Sequence, residues 1–243
     1  MRALHSMVAG LDRKALAVVA GGCALLGVYV YQGHPDFFLR WLAPTLALGA
    51  WEPWAAQCWQ YAVAVVLMLA APLAWWRWGE RGQLASLGMG LGDARFGLRF
   101  TAAAMVVLIP VLWINAGSAE FQAEYPLVAL SGASWRHFLA WQLCYAVYYF
   151  AWEFFFRGFL QLGMKARLGV MGALALQLSA STLLHIGKPQ GETMAAVGAG
   201  LVFGLVALRA RSFLYLFLLH WYVGCLTDLF CLIRSGSAQG LLP

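Results

Sequence analysis

The chain shows no strand-like alternation of apolar and polar positions. It divides instead into long apolar runs at roughly 15–31, 54–75, 98–117, 137–162, 169–186, 194–208 and 212–233, joined by short polar connections. A helix needs ~20 apolar residues to cross a bilayer, so the pattern predicts seven spans. A further stretch, 37–49 (FFLRWLAPTLALG), is apolar but short and interrupted by Arg40 and Pro44. It reads as interfacial or re-entrant, with an eighth span as the alternative. Met1–Gly27 has the profile of a signal peptide, with Arg13 and Lys14 ahead of an apolar run. Because no small-residue cleavage site follows, it is read as a retained first helix.

Composition sharpens this picture. Hydrophobic residues make up 63% of the 243 and charged residues 11%, with mean hydropathy +0.73. Soluble domains are about half apolar, and outer-membrane barrels repeat an alternating ~10-residue unit that is missing here. The expected class is therefore all-α, a polytopic transmembrane helical bundle. The longest polar connections, 76–97 and 118–135, are too short for a soluble domain, so 1–243 reads as a single integral membrane domain.

The net charge of +6 is scattered in pairs at the ends of the runs, which argues topology rather than nucleic-acid binding. With the N-terminus inside, Arg2, Arg13, Lys14, Arg77, Arg81, Arg95, Arg99, Lys165, Arg167, Arg209 and Arg211 fall on the inner side. Only Arg40, Arg136, Lys188 and Arg234 fall outside, and Arg157 lies within a span. That sorting predicts a cytoplasmic N-terminus in the cell's inner (plasma) membrane, with the lipid bilayer as the surrounding partner. Cys23, Cys58, Cys144, Cys225 and Cys231 form no CxxC pair and read as small apolar residues. Gly88–Gly97 reads as a flexible loop, and Gly200-Leu-Val-Phe-Gly204 as a close helix contact.

Ionisable groups inside a bilayer are costly and mark partners or function. Glu153 and Arg157 lie four residues apart, on one helix face. His185 ends the fifth span, while His220 and Asp228 stack on one face of the last. Counted from the inner basic anchors, Glu153, His185, His220 and Asp228 lie at about 14 to 27 Å, a band compatible with one cavity. Read alone, Glu153–Arg157 is equally a structural ion pair. Read together, the set suits hydrolysis: Glu153 as general base on a water, two imidazoles as electrophile or proton shuttle, and Asp228 orienting a histidine. Zn²⁺ held by His185, His220 and Glu153 is the alternative, and no cofactor is required without it. Ser179 and Ser181 have no nucleophile-elbow context.

At Trp152-Glu153-Phe-Phe-Phe-Arg157, Ser181-Thr-Leu-Leu-His185 and His220-Trp-Tyr-Val-Gly224 the chain resembles the CAAX-protease and bacteriocin-processing family of intramembrane proteases. That family carries Glu-Glu-x-x-x-Arg, Phe-x-x-x-His and His-x-x-x-Asn/Asp. The resemblance covers about 118–232, the expected protease core. Trp152 replaces the first glutamate, Ser181 the aromatic and Gly224 the Asn/Asp, with Asp228 one turn beyond. The pattern is similar to a single-glutamate branch, which implies endopeptidase cleavage near the anchor of a membrane-anchored protein or peptide. Bacterial enzymes processing C-terminal sorting signals are among similar branches. An inactive relative acting as a membrane-protein chaperone or immunity factor is the alternative, and a proton-coupled transporter a third reading. Glu192 reads as a cap of the sixth span or a residue of the site entrance. The position of His185 predicts a cavity opening outward.

Overall fold

In the computed structural model of the chain, which describes residues 12–238 and 240–241, the regular elements are helices. Arg2 and the start of the Met1–Gly27 segment lie outside the described residues. The order is α1 (Arg13–Gln32), α2 (Pro35–Trp41), the rod α3 (Gly49–Gly79), α4 (Ala94–Asn115), α5 (Ala119–Glu124) and α6 (Trp135–Glu153). A π-helical segment, Phe154–Gly163, continues α6 without a break. It is followed by α7 (Lys165–Leu183), α8 (Gln190–Ala210) and α9 (Leu214–Arg234).

Five of these, α1, α3, α4, α8 and α9, are long and apolar enough to cross a membrane. The other two expected segments, 137–162 and 169–186, are helical as well but less uniformly apolar. Tyrosines, tryptophans and Gln142 dilute α6, and every residue from Phe154 to Gly163 is buried in protein rather than turned to lipid. The 37–49 stretch forms the seven-residue α2 and a short turn, too short to span. Large apolar side chains face outward along the rods, including Val106, Val107 and Ile114 on α4 and Leu139 and Leu143 on α6. Such a surface suits lipid, and the chain is an integral membrane protein. Cys23 shares that outward face and Cys231 is buried, so the cysteines are not uniformly interior.

Polar residues at the run boundaries start the helices. Asp12 accepts from the Lys14 and Ala15 amides, Asp93 from Phe96 N at 3.0 Å, and Ser134 from His137 N at 3.4 Å, satisfying amides that a helix start leaves free. Two of these caps serve twice. Arg167 bridges Asp12 and Glu80 at 2.8 Å each, Lys14 meets Glu80 at 3.2 Å, and Arg209 meets Asp93 at 2.7 Å. The hydrogen bond from Arg167 holds the Asp12 carboxyl below its ordinary value. Helix ends grouped by the basic-residue count thus meet at one end of the bundle. At the other end Lys188 pairs with Glu124 at 2.6 Å, and Arg234 lies 5.2 Å over Trp113.

The Gly200–Gly204 pair lets α8 approach its neighbours inside the bundle. Gln177 donates to Gly200 O at 3.0 Å and Gln161 to Gly204 O at 2.9 Å. A Cβ on Gly204 would meet Gln177 Nε2 at 2.6 Å and crowd Leu174. Gly204→Val is therefore expected to destabilise the purified protein by about 1–3 kcal/mol through overpacking. A thermal aggregation midpoint in detergent checks this, and an unchanged midpoint would contradict the packing role.

Candidate active site

Glu153 closes the α-helical part of α6, and Arg157 lies one turn into the π-helical segment. Both are buried, with Glu153 at 0% exposure. Such wide-turn segments are rare and frequent at functional sites. His220, from α9, donates through Nδ1 to Glu153 Oε1 at 2.6 Å. Arg157 Nη1 donates to the same oxygen at 3.4 Å, and its Nε lies 3.3 Å from Oε2 without hydrogen-bond alignment. The guanidinium also sits 5.4 Å over the Phe203 ring. A buried carboxylate without a counter-charge would be strongly destabilising, and here the cation balances it. Glu153 fixes the tautomer: with the proton on Nδ1, His220 presents its Nε2 lone pair outward.

His185 follows the same logic with a different partner. Its Nδ1 donates to Ser181 O at 2.8 Å, and its backbone carbonyl accepts from Thr193 Oγ1 at 2.7 Å, so its Nε2 is also free to accept. The Trp152 indole, standing where the resembled family has a glutamate, packs edge-on against both imidazoles, at 5.5 Å from His185 and 6.3 Å from His220.

Two cavities meet at these rings. One, of about 650 Å³, is lined by tyrosines 29, 61, 145 and 148 and reaches His34, Asp36, Glu124 and Lys188 at one end of the bundle. The other, of about 450 Å³, is largely apolar and lies among α4, α8 and α9. Their common wall is Tyr125, Tyr149, Trp152, His185, Glu192 and His220. Arg157 lines the apolar cavity, whereas Glu153 lines neither.

The fold thus brings Glu153, Arg157 and His220 into contact and sets His185 beside them, but it does not bring in Asp228. That carboxylate is buried two turns further along α9, accepting from Trp141 Nε1 at 2.9 Å and Gln142 Nε2 at 3.1 Å. It lines neither cavity and bonds to no histidine, so the expectation that it orients one is corrected. Glu192 is not a cap: the start of α8 has no side-chain cap bond, and the Glu192 Oε2 accepts from Tyr125 Oη at 2.8 Å. Among the described residues no three His, Cys, Asp or Glu side chains are grouped to hold a metal ion, and His185, His220 and Glu153 form no such group.

Tyr149 holds a place at the site that the sequence did not signal. Its ring packs 4.3 Å from that of His220, tilted by 38°, and its Oη makes no hydrogen bond among the described residues. A Cβ on Gly224 would fall 2.7 Å from that oxygen. The phenol therefore fills the space that the Asn/Asp of the family motif would need. An aromatic residue four positions before Glu153 reads as core, which is why spacing alone did not reveal it.

No curated protein and no solved structure matches the chain. Residues 134–226 match the family model described as type II CAAX prenyl endopeptidase Rce1-like. The match takes in Glu153, Arg157, His185, Glu192 and His220 and stops short of Asp228. Over that stretch, the chain is similar to the CAAX protease family.

Proposed function

We propose that the chain is an intramembrane endopeptidase, hydrolysing a peptide bond near the membrane anchor of a protein substrate, with C-terminal sorting signals as the class to test. The reading assigns seven spans to one membrane domain over 1–243, a protease core over 118–232, and a cytoplasmic N-terminus in the plasma membrane. The observation that carries it is the 2.6 Å contact between Glu153 and His220, whose imidazole borders both a polar and an apolar cavity. Peptide and water enter one, and the anchor lies against the other.

The chemistry follows from what each group can reach. Glu153 has no surface in either cavity, so water activation passes to His220, whose Nε2 takes a proton from water while Glu153 steadies Nδ1–H. His185 Nε2 accepts the second hydrogen bond of that water and orients it. The free phenol of Tyr149 donates to the oxygen on which negative charge develops. Arg157 balances Glu153, and Asp228 ties α9 to α6 as a structural group. No step needs a metal.

Full-length protein in liposomes, given a farnesylated peptide ending in a CAAX sequence, is expected to cleave it at an unchanged rate with EDTA or 1,10-phenanthroline present. Absence of cleavage would refute the hydrolase reading for this substrate. Loss with chelator and recovery with Zn²⁺ would replace the metal-free scheme. One feature favours the binding-protein alternative: Trp152 fills the place of the family's first glutamate. Substitution of His220, treated in the Discussion, separates the two.

A further inference from the structure

Beyond the Glu153–His220 pair, one more carboxyl reaches the wall common to both cavities. Glu192 stands in the first turn of α8 with Oε2 held by Tyr125 Oη. Its Oε1 has no hydrogen bond among the described residues and is not enclosed. Burial pushes the Tyr125 phenol well above its ordinary value, so it stays a donor. The two carboxyls have different company: Glu153 lies against a guanidinium, whereas Glu192 has no ion-pair partner among the described residues and is bonded by a phenol. Two carboxyls of one site held in contrasting environments can divide the base and acid roles between them.

We propose that Glu192 is the second catalytic proton-transfer group of this site, delivering a proton to the leaving nitrogen while His220 takes one from the attacking water. The proposal rests on the hydrolase reading above. As the water oxygen bonds to the carbonyl carbon, one of its protons passes to His220 Nε2. The tetrahedral species then collapses, the C–N bond breaks, and the nitrogen takes the proton of the Glu192 carboxyl. The new carboxylic acid returns a proton to Glu192, and His220 passes its proton to the freed amine. The products are a carboxylate and an ammonium, and both side chains end as they began. A carboxyl absent from α6, where Trp152 stands, is thus supplied from α8.

The test compares amide and ester cleavage, because an ester leaving group needs little protonation. Full-length protein in liposomes receives the farnesylated CAAX peptide and the same peptide with an ester at the bond that wild type cleaves. Glu192→Gln is expected to lower amide cleavage about 10²–10⁴-fold, the usual contribution of a general acid, and ester cleavage by less than about tenfold. Tyr125→Phe keeps the carboxyl but releases it, and is expected to show the same amide-selective loss at smaller size. Amide cleavage at the wild-type rate, or equal losses on both substrates in either variant, would overturn the assignment. Failure of wild type on both peptides would instead remove the hydrolase reading, and this inference with it.

Discussion

His220→Ala is expected to lower peptide cleavage by at least about 10²–10⁴-fold while the chain still inserts and folds. The imidazole bonds Glu153 at 2.6 Å and borders both cavities, so it is the group through which the buried carboxylate can act on anything bound there. Its side chain is partly exposed, at 19%, and removing it enlarges an existing cavity rather than tearing a packed core. Glu153 keeps Arg157 as counter-charge. The measurement is the single-turnover rate on the farnesylated peptide alongside a thermal aggregation midpoint. If cleavage vanishes with the midpoint kept, the imidazole is chemical. If a cellular phenotype of the wild-type protein survives His220→Ala and Glu153→Gln unchanged, the chain works by binding.

Arg157→Met carries the largest expected effect on stability. Glu153 is fully buried and Arg157 is 3% exposed, inside a segment where every neighbour is buried. Removing the guanidinium strands a carboxylate among aromatic rings, a loss of about 3–5 kcal/mol for a buried pair broken on one side. Glu153→Gln combined with Arg157→Met removes both charges and is expected to recover much of that loss, because apolar or neutral replacements of a whole buried pair are often tolerated. The double variant should fold and remain inactive, since His220 then loses the carboxylate that orients it. Denaturant midpoints of wild type, both singles and the double check this. A double variant no more stable than Arg157→Met would show that the arginine acts by packing against Phe203 and Phe156 rather than by charge.

Much of this architecture was legible because lipid imposes a length on apolar runs. The seven segments all became helices, and the high cost of charge in a bilayer singled out Glu153, Arg157 and His220, which do meet. Asp228 was misplaced for a geometric reason. Eight residues along α9 put it on the same face as His220 but about 12 Å further on. The antiparallel α6 and α9 touch at two levels, Glu153 with His220 and Gln142 with Asp228. A face count carries no information on which level holds the cavity. The sequence offered Glu192 as a cap or an entrance residue, but its contact with Tyr125 was out of reach: their meeting depends on how the 118–135 connection folds back over α8, which no periodicity encodes. Tyr149 sits in an aromatic run whose spacing suits a core, and only the neighbouring His220 and Gly224 distinguish it.

The cavity walled by tyrosines ends at Asp36, whose side chain is 84% exposed, at the far end of the bundle from the Asp12–Arg167–Glu80 clasp. Each turnover of a hydrolase consumes one solvent molecule, and hydrocarbon supplies almost none. A phenolic corridor of this kind would make the catalyst a one-sided consumer, drawing its reactant from a single aqueous compartment. The severed polar fragment would leave by the same door, while the greasy remainder stays dissolved in the bilayer.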